Sequence, residues 1–472
     1  VIPVISGPRH FFVLGLLLTV TAGALYYPSL DAFFDSQEFI SVLQPGAEGR
    51  PLVQRLMHDW ASPEYGDIFF RPLLTVSFML EYKLWGSAPA GYRIVNAALL
   101  VVTGLLAAGL ASSLTGSRPA SWAAGLLFVT HPGTVVAVEW ISARGDILAA
   151  LFSLAAMLMT VRATKGEWRG PAGALPAAAM LLAAGSKELG LGCFLSLPLI
   201  YFLWPGRRRD TRTTLWFVLS LAVAAGISLA VRWTIFGTVG GYHEIVRDPG
   251  ILLANAGVLL GQTVGVLFPP LPALACVAAV LVPAAFAWRS LDRWRLLLIG
   301  MLVFWISGFQ SLIAEPAEHY SYMGSAVFSV IFVSCLCGIR GFRGKWGRLA
   351  PACLLMVISL NGFLESRDLL LGLVDLDESR RPVFNEFYDR IDEMGREGPC
   401  CFLWDSGKGP IAAEIRLGMF YTAYLSAMEE LDIGIRLVRA ADAAPPGSVL
   451  VTYDPSRHRL VIQQGRGERP HS

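Results

Sequence analysis

Charge is scarce in this chain: Asp, Glu, Lys and Arg together make up 16% of its 472 residues, against 54% that are hydrophobic. So little charge excludes an ordinary water-soluble enzyme, and a mean hydropathy of +0.54 indicates a polytopic membrane protein. Cysteine is also sparse. Cys193, Cys276, Cys335, Cys337 and Cys353 fall inside apolar runs, so no disulfide framework is expected. Adjacent Cys400 and Cys401 would form a strained bridge, and burial explains them better. Zinc-ligand spacing, a phosphate-cradling glycine loop and a basic nucleic-acid patch are all missing, so nucleic acid is not expected as a partner and no metal centre is assigned. Tetratricopeptide periods are missing too. No small-residue cleavage site follows the first apolar run, which is therefore expected to be an anchor.

What is present is a series of apolar stretches near the length of a spanning helix, separated by loops of unequal charge. Placing the Lys/Arg-rich loops in the cytoplasm predicts spans near 11–27, 92–113, 120–138, 145–163, 172–186, 189–204 and 214–233. Further spans are expected near 271–288, 295–313, 321–338 and 349–364. Arg207, Arg208 and Arg209 form the strongest cytoplasmic marker. Residues 73–85 include Glu81 and Lys83 and are expected to lie at the interface. Residues 251–268 are apolar enough to cross, but counting them would move Arg289, Arg293 and Arg295 to the wrong side. Region 237–270 is therefore expected to be interfacial or re-entrant. The total is about 11 spans with the N-terminus inside. Residues 1–365 form the membrane domain, with a first external loop over 28–70. Residues 366–472 form a small extracytoplasmic α/β tail, with strands at 401–404, 435–438, 448–451 and 460–462, a helical pattern between Ile411 and Met428, and a disordered end.

This topology gathers ionisable residues on one face: Asp35, Glu38, Arg71, Arg93, His131, Glu139, Arg144, Asp146, Lys187, Glu188, Arg232, Glu318 and His319. A carboxylate near several cations suits a transferase in which a hydroxyl loses a proton while a phosphate departs. Bland readings stand beside this one. His131 before Pro132 also suits a helix-end cap, Lys187 and Glu188 a local ion pair, and Arg93 a side chain snorkelling from the start of a span. Trp60, Trp85, Trp140 and Trp233 suit an interfacial belt before sugar stacking.

Five segments occur in a telling order. They are Phe34-Asp35-Ser36-Gln37-Glu38 with Phe70-Arg71-Pro72-Leu73 and Gly91-Tyr92-Arg93; His131-Pro132; Ser142-Ala143-Arg144-Gly145-Asp146-Ile147-Leu148; Ser186-Lys187-Glu188; and Ala317-Glu318-His319-Tyr320-Ser321-Tyr322. Together, over roughly residues 30 to 325, they resemble the GT-C membrane glycosyltransferases. Within these they resemble the transmembrane O-mannosyltransferases that carry tetratricopeptide repeats, and their bacterial relatives.

The resemblance implies an all-α GT-C-like bundle. Its activity would be transfer of a monosaccharide, such as mannose, from a polyprenyl-phosphate carrier to an acceptor hydroxyl outside the cytoplasm, with inversion. Asp35 would be the general base with Glu38 in reserve, and Arg71, Lys187, Arg232 and His319 would hold the donor phosphate. His131, Glu139, Arg144, Asp146, Glu188 and Glu318 would shape the substrate loops. The partners implied are membrane lipids, the lipid-linked sugar, and an acceptor that is a protein, a glycan or a lipid. No cofactor is certain, and a divalent cation stays open.

Three departures stand out. Ser36 occupies the family's second acidic position, Val136 stands where a glutamate is expected with Glu139 three residues on, and His319 replaces an arginine. A transporter or flippase of lipid-linked glycans and a catalytically degenerate scaffold are the alternatives. A transporter would place charge near mid-membrane and show internal repeats, whereas here the charges sit at span ends. The basic internal loops fit a bacterial plasma membrane.

Overall fold

Pro89 and Gly116 bracket the helix around which the bundle is built. In the computed structural model, which describes residues 8–34, 70–204, 210–236, 246–267, 282, 291–313, 317–338, 345–397, 400–403, 435–438, 449–454 and 459–464, that helix is Pro89–Thr115. Proline at its first turn costs no hydrogen bond, and Gly116 ends it in the left-handed region at φ 67°. The helices in chain order are α1 (Pro8–Tyr26), α2 (Pro72–Trp85), α3 (Pro89–Thr115), α4 (Arg118–Val129), α5 (Val135–Glu139) and α6 (Arg144–Thr164). Then come α7 (Leu175–Ala184), α8 (Leu189–Cys193), α9 (Ser196–Leu203), α10 (Thr211–Phe236), α11 (Pro249–Thr263), α12 (Leu291–Ser307), α13 (Phe309–Ile313), α14 (Ser321–Gly338) and α15 (Lys345–Glu397).

α3 packs against α1, α4, α6 and α14. Between α3 and α4 the backbones approach closely at glycines: a Cβ on Gly125 would lie 3.3 Å from the Gly104 carbonyl oxygen. Small residues permit such contact where lipid supplies no hydrophobic drive between helices. The core residues Ala107, Ala108, Phe128, Leu154 and Met323 are fully buried.

Six helices among the described residues are long and apolar enough to cross a membrane, or seven if α4 and the segment Pro132–Glu139, bent by 59° at the His131-Pro132 break, count as one. The protein is thus a multi-pass membrane protein. Residues 172–186 and 189–204, expected as two full spans, form the shorter apolar helices Gly170–Ala184 and Leu189–Leu203. At fourteen residues α2 is too short for a crossing, which needs about 20. Pro249–Leu267 is long and apolar enough to cross, so its expected interfacial position rests on loop charge alone. The span expected near 271–288 lies outside the described residues except for residue 282, which is helical.

The expected boundary at residue 366 falls inside α15, a continuous helix of 53 residues and so roughly 80 Å long. Beyond it come β1 (Cys400–Leu403), β2 (Ile435–Val438), β3 (Val449–Asp454) and β4 (Arg459–Gln464). They make one sheet in the order β2-β1-β3-β4, with β1 parallel to both β2 and β3, and β3 antiparallel to β4. The helical pattern expected between Ile411 and Met428 and the tail end lie outside the described residues.

Candidate active site

Three short connections set the site. The turn Gly185-Ser186-Lys187-Glu188 joins α7 to α8, and the two helices fold back so tightly that a Cβ on Gly190 would lie 2.4 Å from the backbone carbon of Ala183. The first turn of α6 abuts the same turn, because a Cβ on Gly145 would lie 3.2 Å from the Ser186 carbonyl oxygen. The start of α2 is tied there too: the Leu73 N–H donates to the Gly185 carbonyl at 3.0 Å. Arg71, Asp146, Lys187 and Glu188 are thereby drawn from three segments into one place.

The resulting cluster is buried and densely charged. Lys187 Nζ donates to Asp146 Oδ2 at 2.6 Å, with the two side chains 4% and 1% exposed. Arg71 Nη2 and Nε donate to Glu188 Oε2 at 2.8 and 3.2 Å, and Arg232 Nη1 from α10 lies 3.5 Å from Glu188 Oε1. His319 Nε2 lies 3.9 Å from Asp146 Oδ2. Its ring meets Trp140 edge-on at 5.0 Å, and Lys187 Nζ sits 4.6 Å from the centroid of Tyr320. The indole N–H of Trp140 and Oδ1 of Asp146 are buried with no hydrogen-bond partner among the described residues. Among the described residues three cations face two carboxylates in a low-dielectric setting, where charges interact strongly.

Burial alone would raise the Glu188 carboxyl, but the guanidiniums of Arg71 and then Arg232 override it and hold the group at about 2. A carboxylate so depressed stabilises the fold fully above its ordinary pKa of 4.5, and that contribution disappears as the pH falls toward 2. The shift corresponds to on the order of 3 kcal/mol. We expect the melting temperature of Glu188→Gln in detergent to lie furthest below wild type near pH 7, with the gap closing below about pH 4.5. A gap that stays constant with pH would mean that the two guanidiniums do not hold this carboxylate.

Two neighbouring networks support the cluster. Arg144, fully buried at the head of α6, donates through Nη1 to Glu81 and, at 2.8 Å, to Ser77. It also donates to Asn96 Oδ1 at 2.6 Å and to the Tyr92 carbonyl at 3.0 Å, and it lies over the Phe78 ring. Arg144 thus binds α2, α3 and α6 together. Arg93, expected to snorkel, is instead 2% exposed. It pairs with Glu139 at 3.0 Å and Asp377 at 3.6 Å, and it donates to the carbonyls of Ala32 and Phe33. Arg381 of α15 donates to the Asp31 carbonyl and lies 5.8 Å from the Phe33 ring. Arg93 and α15 therefore grip the chain just before Asp35.

The sequence-predicted residues divide accordingly. Arg71, Asp146, Lys187, Glu188, Arg232 and His319 come together. Glu139 belongs to the Arg93 network, and Arg144 lies away from the cluster with Glu81. His131 is buried as a cap: Nδ1 accepts from the Gly133 N–H at 3.0 Å, and Nε2 lies 2.7 Å from the Thr263 carbonyl, so both ring nitrogens are engaged. Glu318 is exposed at the start of a 3-10 turn. Asp35 and Glu38 lie outside the described residues. Glu81, read from sequence only as a mark of an interfacial helix, and Asn96, Asp377 and Arg381 are not among the sequence-predicted site residues. Among the described residues no three His, Cys, Asp or Glu side chains lie together as metal ligands, so nothing among them supports the divalent cation left open above.

No family model matches the chain. Protein O-mannosyl-transferase Tmtc1 of Drosophila melanogaster is 34% identical over 145 residues, a match covering 29% of this chain and 17% of the relative. The chain thus spans less than a fifth of that relative's length. ArnT from Cupriavidus metallidurans bound to undecaprenyl phosphate superposes with a TM-score of 0.58 at 12% identity, over 94% of this chain and 93% of that one. The chain has the GT-C fold. AglB from Archaeoglobus fulgidus, in complex with an inhibitory peptide and a dolichol-phosphate, agrees with that GT-C fold at a TM-score of 0.53 and 13% identity, over 86% of this chain and 63% of that one.

Proposed function

We propose that this chain is an integral membrane glycosyltransferase that moves a monosaccharide, such as mannose, from a polyprenyl-phosphate carrier to an acceptor hydroxyl. The observation that carries the reading is the convergence of Arg71, Lys187 and Arg232 on two carboxylates in a buried site. The kinship with O-mannosyl-transferases and the fold shared with ArnT and AglB support it. The acceptor oxygen attacks the anomeric carbon as Asp35 takes its proton. The bond from that carbon to the phosphate oxygen breaks with inversion, its electron pair stays on the phosphate, and the three cations hold the departing polyprenyl phosphate. Acceptor classes consistent with this chemistry are protein, glycan and lipid.

In this reading the chain makes about 11 crossings of a bacterial plasma membrane, with the N-terminus cytoplasmic. The cluster and the small α/β tail face outward. Asp35→Asn in reconstituted vesicles is expected to slow release of polyprenyl phosphate from a polyprenyl-phosphate mannose donor by about 10²-fold or more, with donor affinity unchanged. Turnover within a few-fold of wild type would remove Asp35 from the role of base.

A further inference from the structure

Trp140 brings a hydrogen-bond donor to the edge of the charged cluster that its neighbours do not use. It stands between α5 and the 3-10 turn Ile141–Ala143 that leads into α6. Its backbone is engaged on both sides: its N–H donates to the Val136 carbonyl at 3.0 Å, and its carbonyl accepts from the Ala143 N–H at 2.9 Å. The indole meets the His319 ring edge-on at 5.0 Å, and Nε2 of the same histidine lies 3.9 Å from Asp146 Oδ2. Trp122, by contrast, donates its indole N–H to His10 Nδ1 at 2.8 Å. Among the described residues, Trp140 has the one indole nitrogen that is buried with no hydrogen-bond partner.

Asp146 presents the complementary group. Its Oδ2 accepts from Lys187 at 2.6 Å, whereas Oδ1 is buried with no partner among the described residues. A buried donor and a buried carboxylate oxygen left unmatched are both costly, and such atoms in a functional site mark where a ligand completes the bonding. The chemistry of that ligand follows from the pair. An ionised phosphate oxygen can accept from the indole, but it has no proton for the carboxylate and is repelled by it. A hydroxyl can accept from an N–H and donate to a carboxylate. Trp140 and His319 are both partly exposed and Glu318 beside them is exposed, so the indole is not sealed in the core. We propose that Trp140 and Asp146 form the subsite for the donor's monosaccharide, the indole N–H donating to one sugar hydroxyl and Asp146 Oδ1 accepting from a hydroxyl of the same ring. This assignment rests on the transferase reading above and deepens it: one carboxylate holds Lys187 toward the phosphate through Oδ2 and receives the sugar through Oδ1.

The test is equilibrium binding to the full chain in lipid nanodiscs, with release of undecaprenyl phosphate measured alongside. The ligands are undecaprenyl-phosphate mannose, its monodeoxy analogues and undecaprenyl phosphate alone. Wild type is expected to bind the mannose donor about 10-fold or more tighter than the bare carrier. Trp140→Phe keeps an aromatic ring against His319 and removes the N–H. It is expected to lose about 10-fold in affinity for the mannose donor and nothing for the bare carrier. One monodeoxy donor is expected to bind the two proteins alike, because it lacks the hydroxyl that the indole meets. Equal affinity of the two proteins for the mannose donor, a loss shared by every analogue, or a loss that extends to the bare carrier would overturn the assignment. So would a wild type that binds donor and bare carrier alike or is indifferent to every deoxygenation, a result that decides alone if Trp140→Phe does not fold. Binding in the expected pattern without any transfer would keep a site for a lipid-linked sugar and remove the transferase reading. Transfer with unaltered donor binding in Trp140→Phe would do the reverse.

Discussion

Replacing Lys187 by methionine is expected to lower kcat/KM for a polyprenyl-phosphate sugar by about 10²- to 10³-fold, the loss typical of removing one preorganised group from a developing anion. The ammonium is 2.6 Å from Asp146 and fully inside the protein. In the proposed reaction the carrier phosphate would offer a second anion to the same cation. The single variant also strands Asp146 in the interior, which costs stability by itself. Lys187→Met combined with Asp146→Asn removes both charges and separates the two effects. If Lys187 acts on the phosphate, the double variant melts near wild type and still turns over slowly. Recovery of turnover in the double variant would reduce Lys187 to a structural partner.

The largest effect on stability is expected from Arg144→Ala. The guanidinium is fully buried and gathers Glu81, Ser77, Asn96 and the Tyr92 carbonyl from two other helices. Removing it leaves the Glu81 carboxylate in a nearly dry site, a change that typically costs about 3–5 kcal/mol. Thermal melting in detergent should show a drop of many degrees, and Arg144→Leu with Glu81→Leu should recover much of it. A single variant that melts within a degree or two of wild type would show that water reaches this pair. Donor turnover of the double variant then reports whether Arg144 has any part beyond joining α2, α3 and α6.

These two arginine networks also mark where sequence reasoning stopped. Apolar runs and loop charge revealed the membrane class, and the order of short motifs pointed to the residues of the cluster. The short apolar runs at 401–404, 435–438, 448–451 and 460–462 match the four strands to within three residues at their ends. Arg93 and Arg144 were harder. Loop-charge rules treat each basic residue as a group that seeks water. Arg93 instead finds Glu139, Asp377 and two carbonyls, and Arg144 finds Glu81 and Asn96. Those partners stand dozens to hundreds of residues away, and no local period records them. The clue available was weak: Glu81 lies on the helix that begins beside Arg71, and Tyr92-Arg93 begins the next. The span expected over 120–138 runs through Pro132, where the structure bends by 59° instead, and the partner of His131, the Thr263 carbonyl, again comes from a distant helix end.

The unbroken course of α15 has a practical bearing on any shortened form of the protein. Along its length Asn361 donates to the Leu267 carbonyl, Ser366 to the Thr130 carbonyl, Asp377 meets Arg93, and Arg381 holds the Asp31 carbonyl. One rod therefore stitches the bundle to the threshold of the Asp35 loop before it ever reaches the sheet. A chain ending after Glu397 would lose, among the described residues, the strands alone, whereas one ending near residue 370 would also unfasten that threshold. Activity lost in the shorter form and kept in the longer would belong to the rod and not to the sheet.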